Sequence, residues 1–168
     1  GRGGGEAVKS IADLHDLTDR VAIVTGGSRG LGRTIVQALA EAGADVVVAS
    51  RKLDACERVA AEVRESTGRQ ATGVAYHAAD WDDADRLVRA TLDHFGRLDV
   101  LVNNAGMSPT YESLDTITEE LYDKTLGVNL KGPFRLGVLA ATHMRDHDGG
   151  SIVNIGTAGS LIASARQL

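Results

Sequence analysis

Residues 21–25, Val-Ala-Ile-Val-Thr, form a short apolar run that passes straight into Gly26-Gly27-Ser28-Arg29-Gly30-Leu31-Gly32, and an amphipathic stretch follows. Few backbones accommodate this order. A buried strand has to turn sharply and feed a helix within seven residues, and the glycines sit where that turn needs them. Gly26 suits the tight turn off the strand. Gly30 and Gly32 let a diphosphate approach the backbone and let the helix pack on the sheet. The helix N-terminus then presents unpaired N–H groups and the positive end of its dipole to phosphate.

The same alternation runs along the rest of the chain. Residues 21–25, 45–49, 73–77, 99–102 and 152–155 are nearly all apolar rather than alternating, which predicts strands buried on both faces of a parallel sheet. Helical patterns lie between them. Leu31, Ile35, Val36 and Leu39 share one face, and Gly43 stops that helix. Val59, Ala60 and Val63 form a second stripe. Leu87, Val88, Leu92 and Phe95 form a third, capped by Asp80 or Asp82 and ended by Gly96. A long helical stretch spans 118–148, with Phe134, Val138 and Ala141 on one face and Gly132-Pro133 bending or dividing it. The β-α alternation predicts a doubly wound α/β sheet with right-handed crossovers, the Rossmann fold, in one domain over residues 17–168. The glycine-rich, polar start reads as a flexible tail, residues 1–16.

Composition narrows the function. With 18 Lys plus Arg against 23 Asp plus Glu, the net charge is −5, which argues against a general nucleic-acid binder. One cysteine, Cys56, forms no internal disulfide and suits a reducing cytoplasm. No apolar run approaches the roughly 20 residues that span a bilayer. The sequence therefore predicts a cytoplasmic protein that acts on small molecules, away from membranes.

In an NAD site, an acidic residue roughly 20 positions past the glycines accepts the adenosine ribose hydroxyls. That place holds Ser50-Arg51-Lys52, with no carboxylate, and Arg29 in the loop adds a third cation. A 2′-phosphate would be held by an arginine fork and repelled by an aspartate. NADP(H) is therefore the preferred coenzyme and NAD(H) the alternative.

These residues, together with three further motifs, resemble the short-chain dehydrogenases/reductases (SDRs). Residues 25–32 look like that family's TGxxxGxG loop. Asn103-Asn104-Ala105-Gly106 matches its NNAG motif, Asn129 matches the asparagine of its long central helix, and SIVNIGT at 151–157 matches its fifth strand and active-site serine position. Residues 50–57 and 127–136 look closest to gluconate-dehydrogenase-like and 3-oxoacyl-reductase-like members. The resemblance implies a coenzyme site of Gly26, Ser28, Arg29, Gly30, Leu31, Gly32, Ser50, Arg51, His77, Ala78, Asn103, Ala105, Gly106 and Ile155. Asn103, Ala105 and Gly106 would line the adenosine ribose side and brace the sheet. Asn129 would hold a water in a proton relay. Thr157, standing where the family usually has serine, would hydrogen-bond the reacting oxygen. Threonine keeps the hydroxyl, but its methyl stiffens χ1. Where many members carry an aspartate near the adenine, this sequence has His77, followed by Ala78.

The family's general acid/base is a tyrosine with a lysine four places on, expected past Leu168. Tyr76, Tyr111 and Tyr122 all lie upstream, and none has a lysine at that spacing. Family members usually run to roughly 250 residues as one domain. The chain is thus expected to be the front part of a longer protein, and inactive by itself. The function expected of the whole is interconversion of a secondary alcohol and a ketone by hydride transfer, in a homo-oligomer (tetramer or dimer). A non-catalytic dinucleotide-binding or sensor module is the alternative. A methyl-donor-binding protein with a similar loop is disfavoured by NNAG and Asn129. His143 and His147 share a helix face but lack further ligands, and Asp82, Asp83 and Asp85 suit a helix first turn, so no metal site is assigned.

Overall fold

The computed structural model describes residues 10–157. Five strands, β1 (Val21–Thr25), β2 (Asp45–Ser50), β3 (Ala71–Ala75), β4 (Val100–Asn103) and β5 (Ser151–Asn154), form one parallel sheet in the order β3-β2-β1-β4-β5. The connecting helices are α2 (Gly30–Glu41), α3 (Leu53–Thr67), α4 (Trp81–Phe95), α5 (Glu119–Leu126) and α6 (Gly132–Arg145). This is the doubly wound Rossmann arrangement expected above. Alternate residues of β1 serve opposite layers. Ala22 and Val24 pack with Val36, Ala40, Val59 and Val63 of α2 and α3. Ile23 packs with Leu87, Leu136 and Ala140 of α4 and α6. Burying each of the larger side chains contributes on the order of 1.5–3 kcal/mol.

Several expectations shift. Of the expected tail, residues 1–9 lie outside the described residues. Within the remainder, Ser10 donates from both N–H and Oγ to Asp13 Oδ2 and starts a helical turn, α1 (Ile11–Leu14). β3 lies two residues earlier than 73–77. His77 N–H donates to Asp83 Oδ2, and Asp80 N–H to the His77 carbonyl, so the chain is already turning into α4. β5 is exposed along its whole length rather than buried on both faces. The long stretch is divided at a π-helical turn, Gly127–Lys131, that ends where Gly132-Pro133 begins. Phe134, Val138 and Ala141 face outward, because α6 buries Gly132, Leu136, Ala140 and Met144 instead. Gly132 and Ala140 are small, which brings that face close to its neighbours. Leu31 is also exposed, since α2 buries Gly32, Val36 and Ala40. Asp80, rather than Asp82, caps α4 by accepting from the Asp82 and Asp83 amides.

At the N-terminal end of β1 and β4, the opposite end of the strands from the glycine turn, Asp99 is buried and gathers Arg97, Arg20 and the Val21 amide, with Arg97 Nε at 2.8 Å and Arg20 at 3.0 Å. Burial pushes its carboxyl up. The hydrogen bonds from Arg97, Val21 and Arg20 outweigh that and hold it below the usual carboxylate range. Its stabilisation is therefore complete above the unfolded value near 3.9 and is lost as pH falls through the lower folded value. Asp99→Asn is expected to destabilise the fold by about 2 kcal/mol, the charge-assisted bonds being lost while the guanidiniums stay partly solvated. Denaturant titrations at pH 7 and at pH 3 check this. The gap between wild type and variant should shrink in acid, and an equal gap at both pH values would contradict it.

Candidate active site

The C-terminal ends of β1, β2, β4 and β5 lie along one side of the parallel sheet. Between β1 and β4 the winding reverses, which is where open α/β sheets form their ligand crevice. β1 delivers Thr25 and the glycine turn to this place. Gly26 has φ 66° and Gly30 φ 52°, both in the left-handed region. Gly32 is needed for close approach, since a methyl group there would lie 2.5 Å from Asn104 Nδ2 and nearer still to the Gly26 carbonyl oxygen. Gly30, by contrast, faces open space, with nothing within 4 Å of where its methyl would be. Arg29, the residue before α2, is extended and provides no side-chain cap, so the first amides of α2 have no acceptor from it. An open turn of glycine backbone at an uncapped helix N-terminus fits a diphosphate.

The turn is fastened to the segment after β4. Thr25 Oγ1 accepts from the amides of Asn104 and Ala105, both at 3.0 Å, and donates to the Val102 carbonyl at 3.3 Å. That satisfies the one proton and two lone pairs of the hydroxyl. Asn104 Nδ2 donates to the Thr25 carbonyl at 3.0 Å and reaches the Gly26 carbonyl at 3.4 Å. Thr25 and Asn104 therefore hold the loop, although neither was among the site residues drawn from the sequence. The signal was present in the adjacent pair Asn103-Asn104, because two amides at the end of a buried strand need partners. Asn103 is buried and donates to Asn154 Oδ1 at 2.9 Å, tying β4 to β5. Ala105 is half-buried beside the turn, and Gly106 is exposed next to Asn129.

Asn129 sits in the π-helical turn. Its Oδ1 accepts from the Met107 amide at 2.9 Å, and its Nδ2 donates to the Met107 carbonyl at 2.8 Å. The side chain thus clamps the backbone just past NNAG, using one amide proton and one lone pair. Ile155 N–H donates to the Asn103 carbonyl at 2.9 Å, which carries the chain toward Thr157 on the same side of the sheet. Around the far end of the crevice, Ser28 and Ser50 are half-buried, whereas Arg29, Arg51 and Lys52 are exposed and form no ion pair among the described residues. His77 is exposed at the end of β3 and Ala78 is buried beside it.

The profile of the short chain dehydrogenase family matches residues 20–167. The chain belongs to the short-chain dehydrogenase family. The chain is similar to L-rhamnose 1-dehydrogenase (NAD(P)(+)) of Azotobacter vinelandii, at 39% identity over 155 residues, covering 90% of this chain and 60% of that protein. It is 36% identical over 137 residues to human dehydrogenase/reductase SDR family member 4, covering 82% of this chain and 49% of the relative. A solved short-chain type dehydrogenase/reductase from Mycobacterium marinum superposes with a TM-score of 0.87 at 30% identity, covering 94% of this chain and 62% of that one. The chain thus spans about half to three-fifths of the length of the relatives it matches.

Further titratable side chains lie outside the crevice. His143 and His147 stack with centroids 4.0 Å apart, and His147 Nδ1 lies 2.8 Å from the His143 carbonyl. Among the described residues no group of three or more potential ligands surrounds a metal position. Asp85 pairs with Arg135, whose guanidinium lies 4.8 Å over the Trp81 ring. Tyr76 is buried beside Asp83, and burial pushes its hydroxyl up to about 12.

Proposed function

We propose that this protein is an NADP(H)-dependent oxidoreductase that interconverts a secondary alcohol and a ketone. The observation that carries the proposal is the open glycine turn at the uncapped start of α2, held in place by Thr25 and Asn104. The amides at Gly30–Gly32 would receive the coenzyme diphosphate, and Leu31, exposed in the same turn, would cover it. Ser50, Arg51 and Arg29 would surround the adenosine ribose, with His77 and Ala78 at the adenine edge. When bound, the nicotinamide supplies or accepts the hydride.

The chain's own residues do the orienting. Thr157 would donate a hydrogen bond to the substrate oxygen and fix the carbonyl or alcohol in place, with Ile155 bordering the nicotinamide side. Asn129, by clamping Met107, holds the wall between coenzyme and substrate and would carry a relay water on its remaining amide groups. The related A. vinelandii enzyme is named for use of either nicotinamide coenzyme, which supports the class of cofactor.

Tyr122, Leu126, Leu130, Phe134 and Val138 recur every four residues along α5 and α6 and are all exposed. Such a stripe supports assembly into a homo-oligomer. No helix among the described residues is long and apolar enough to cross a membrane. A buried free thiol suits the reducing cytoplasm.

Coenzyme choice is tested by titrating the full-length protein with NADPH and NADH. NADPH should bind more tightly. Arg51→Ala should weaken NADPH about tenfold, equivalent to ~1.4 kcal/mol, and leave NADH unchanged. Tighter NADH binding, or no loss on removing Arg51, would overturn the NADP(H) assignment.

A further inference from the structure

The end of β2 carries a hydrogen-bond chain that reaches from the core to the glycine turn. Ser50 Oγ donates to Ser28 Oγ at 2.8 Å, joining residues 22 positions apart. The same Ser50 Oγ lies 3.1 Å from Cys56 Sγ, and Cys56 Sγ lies 3.7 Å from the Ser50 carbonyl. A serine hydroxyl has one proton and two lone pairs. Ser50 gives its proton to Ser28, while the thiol of Cys56 donates toward the Ser50 carbonyl and rests against Ser50 Oγ. Cys56 is fully buried in the first turn of α3, and burial pushes its thiol up, which keeps that proton in place. Ser28 accepts from Ser50 and retains its own proton. Ser28 is only half-buried and stands next to Arg29 in the open turn.

We propose that Ser50 is a positioning residue that acts through Ser28, turning the Ser28 hydroxyl into a directed donor for a phosphate on the adenosine ribose. The proposal rests on the NADP(H) reading above and assigns Ser50 a role other than direct contact. While the 2.8 Å link holds, Ser50 has no proton left for a ligand. Cys56 supports the rotamer of Ser50 from below. An ionised phosphate only accepts hydrogen bonds, so it benefits from a hydroxyl held as a donor. A free ribose hydroxyl both donates and accepts, so it is indifferent to which way Ser28 is turned. The arrangement therefore favours the phosphorylated coenzyme in a way that the cations alone do not provide.

The test is a set of NADPH and NADH titrations of the full-length protein. Ser50→Ala should raise the NADPH Kd about fivefold and leave the NADH Kd within twofold. Ser50→Thr, which keeps the hydroxyl, should restore NADPH binding to within twofold of wild type, and Cys56→Ser should keep the wild-type coenzyme ratio. In a Ser28→Ala background, Ser50→Ala should add nothing. Ser50→Ala changes that are absent or equal for both coenzymes, or a full effect of Ser50→Ala without Ser28, would overturn the proposal. Failure of the NADP(H) reading shows separately, as an Arg51→Ala variant with unchanged NADPH affinity. A wild-type protein that binds neither coenzyme overturns both.

Discussion

Gly32→Ala is expected to abolish measurable coenzyme binding, with a loss of at least about a hundredfold, or ~2.7 kcal/mol. It should also destabilise the fold by about 1–3 kcal/mol, the usual cost of forcing an extra methyl into a packed site. The methyl would collide with the Gly26 carbonyl oxygen and with Asn104 Nδ2. Relief requires α2 to withdraw from the turn or Asn104 to release the Thr25 and Gly26 carbonyls. Either movement spreads the amides that would hold the diphosphate. Gly30→Ala separates packing from binding. Its methyl would meet no protein atom, and its left-handed φ of 52° costs only roughly 1–2 kcal/mol in a non-glycine residue. That variant should fold and still bind poorly, because the methyl would occupy the ligand's side of the turn. Isothermal titration with NADPH, beside thermal melts, distinguishes these outcomes. A Gly32→Ala protein that binds with wild-type affinity would contradict the proposed role of the turn.

Thr157→Val is expected to lower kcat by about 10²–10³, the range seen when one donor to a developing oxyanion is removed. The substitution preserves shape and β-branching and deletes only the hydroxyl. The KM for coenzyme should stay within about twofold. Thr157→Ser should retain most of the activity, since it keeps the donor and frees χ1. β5 ends three residues before Thr157 and leads the chain to the crevice. The Asn103–Asn154 pairing and the Ile155 amide on the Asn103 carbonyl bring this segment alongside the NNAG loop, and Asn129 clamps the next stretch at Met107. Steady-state kinetics of the full-length protein check the effect. Unchanged kcat in Thr157→Val would remove Thr157 from the reaction.

The central strands were readable because burial leaves a plain mark. β1 matches residue for residue, and β2 and β4 match to within a residue at each end, since strands packed on both faces become continuous apolar runs. Edge strands were less legible. Tyr76 is buried and apolar enough to prolong β3 on paper, but the carboxylate of Asp83 takes the His77 amide and ends the strand. Along α6 the sequence offers two stripes four residues apart in period. The one with larger side chains, containing Phe134 and Val138, is the outer one. Only three-dimensional packing shows that the smaller stripe of Gly132, Leu136, Ala140 and Met144 faces the sheet. In the site, glycine spacing marked the turn, whereas the bonds that hold it are long-range. Thr25 and Asn104 are 79 positions apart, and no local pattern couples them. The Ser28–Ser50–Cys56 chain was hidden for the same reason.

The glycine turn is the proposed diphosphate cradle. A crystal structure of the full-length protein with NADPH tests it most directly. The predicted result is coenzyme density across the ends of β1 and β4, with the diphosphate on the amides of Gly30–Gly32 and the 2′-phosphate beside Ser28 and Arg51. A coenzyme bound elsewhere, or a turn closed by its own side chains at saturating NADPH, would contradict it.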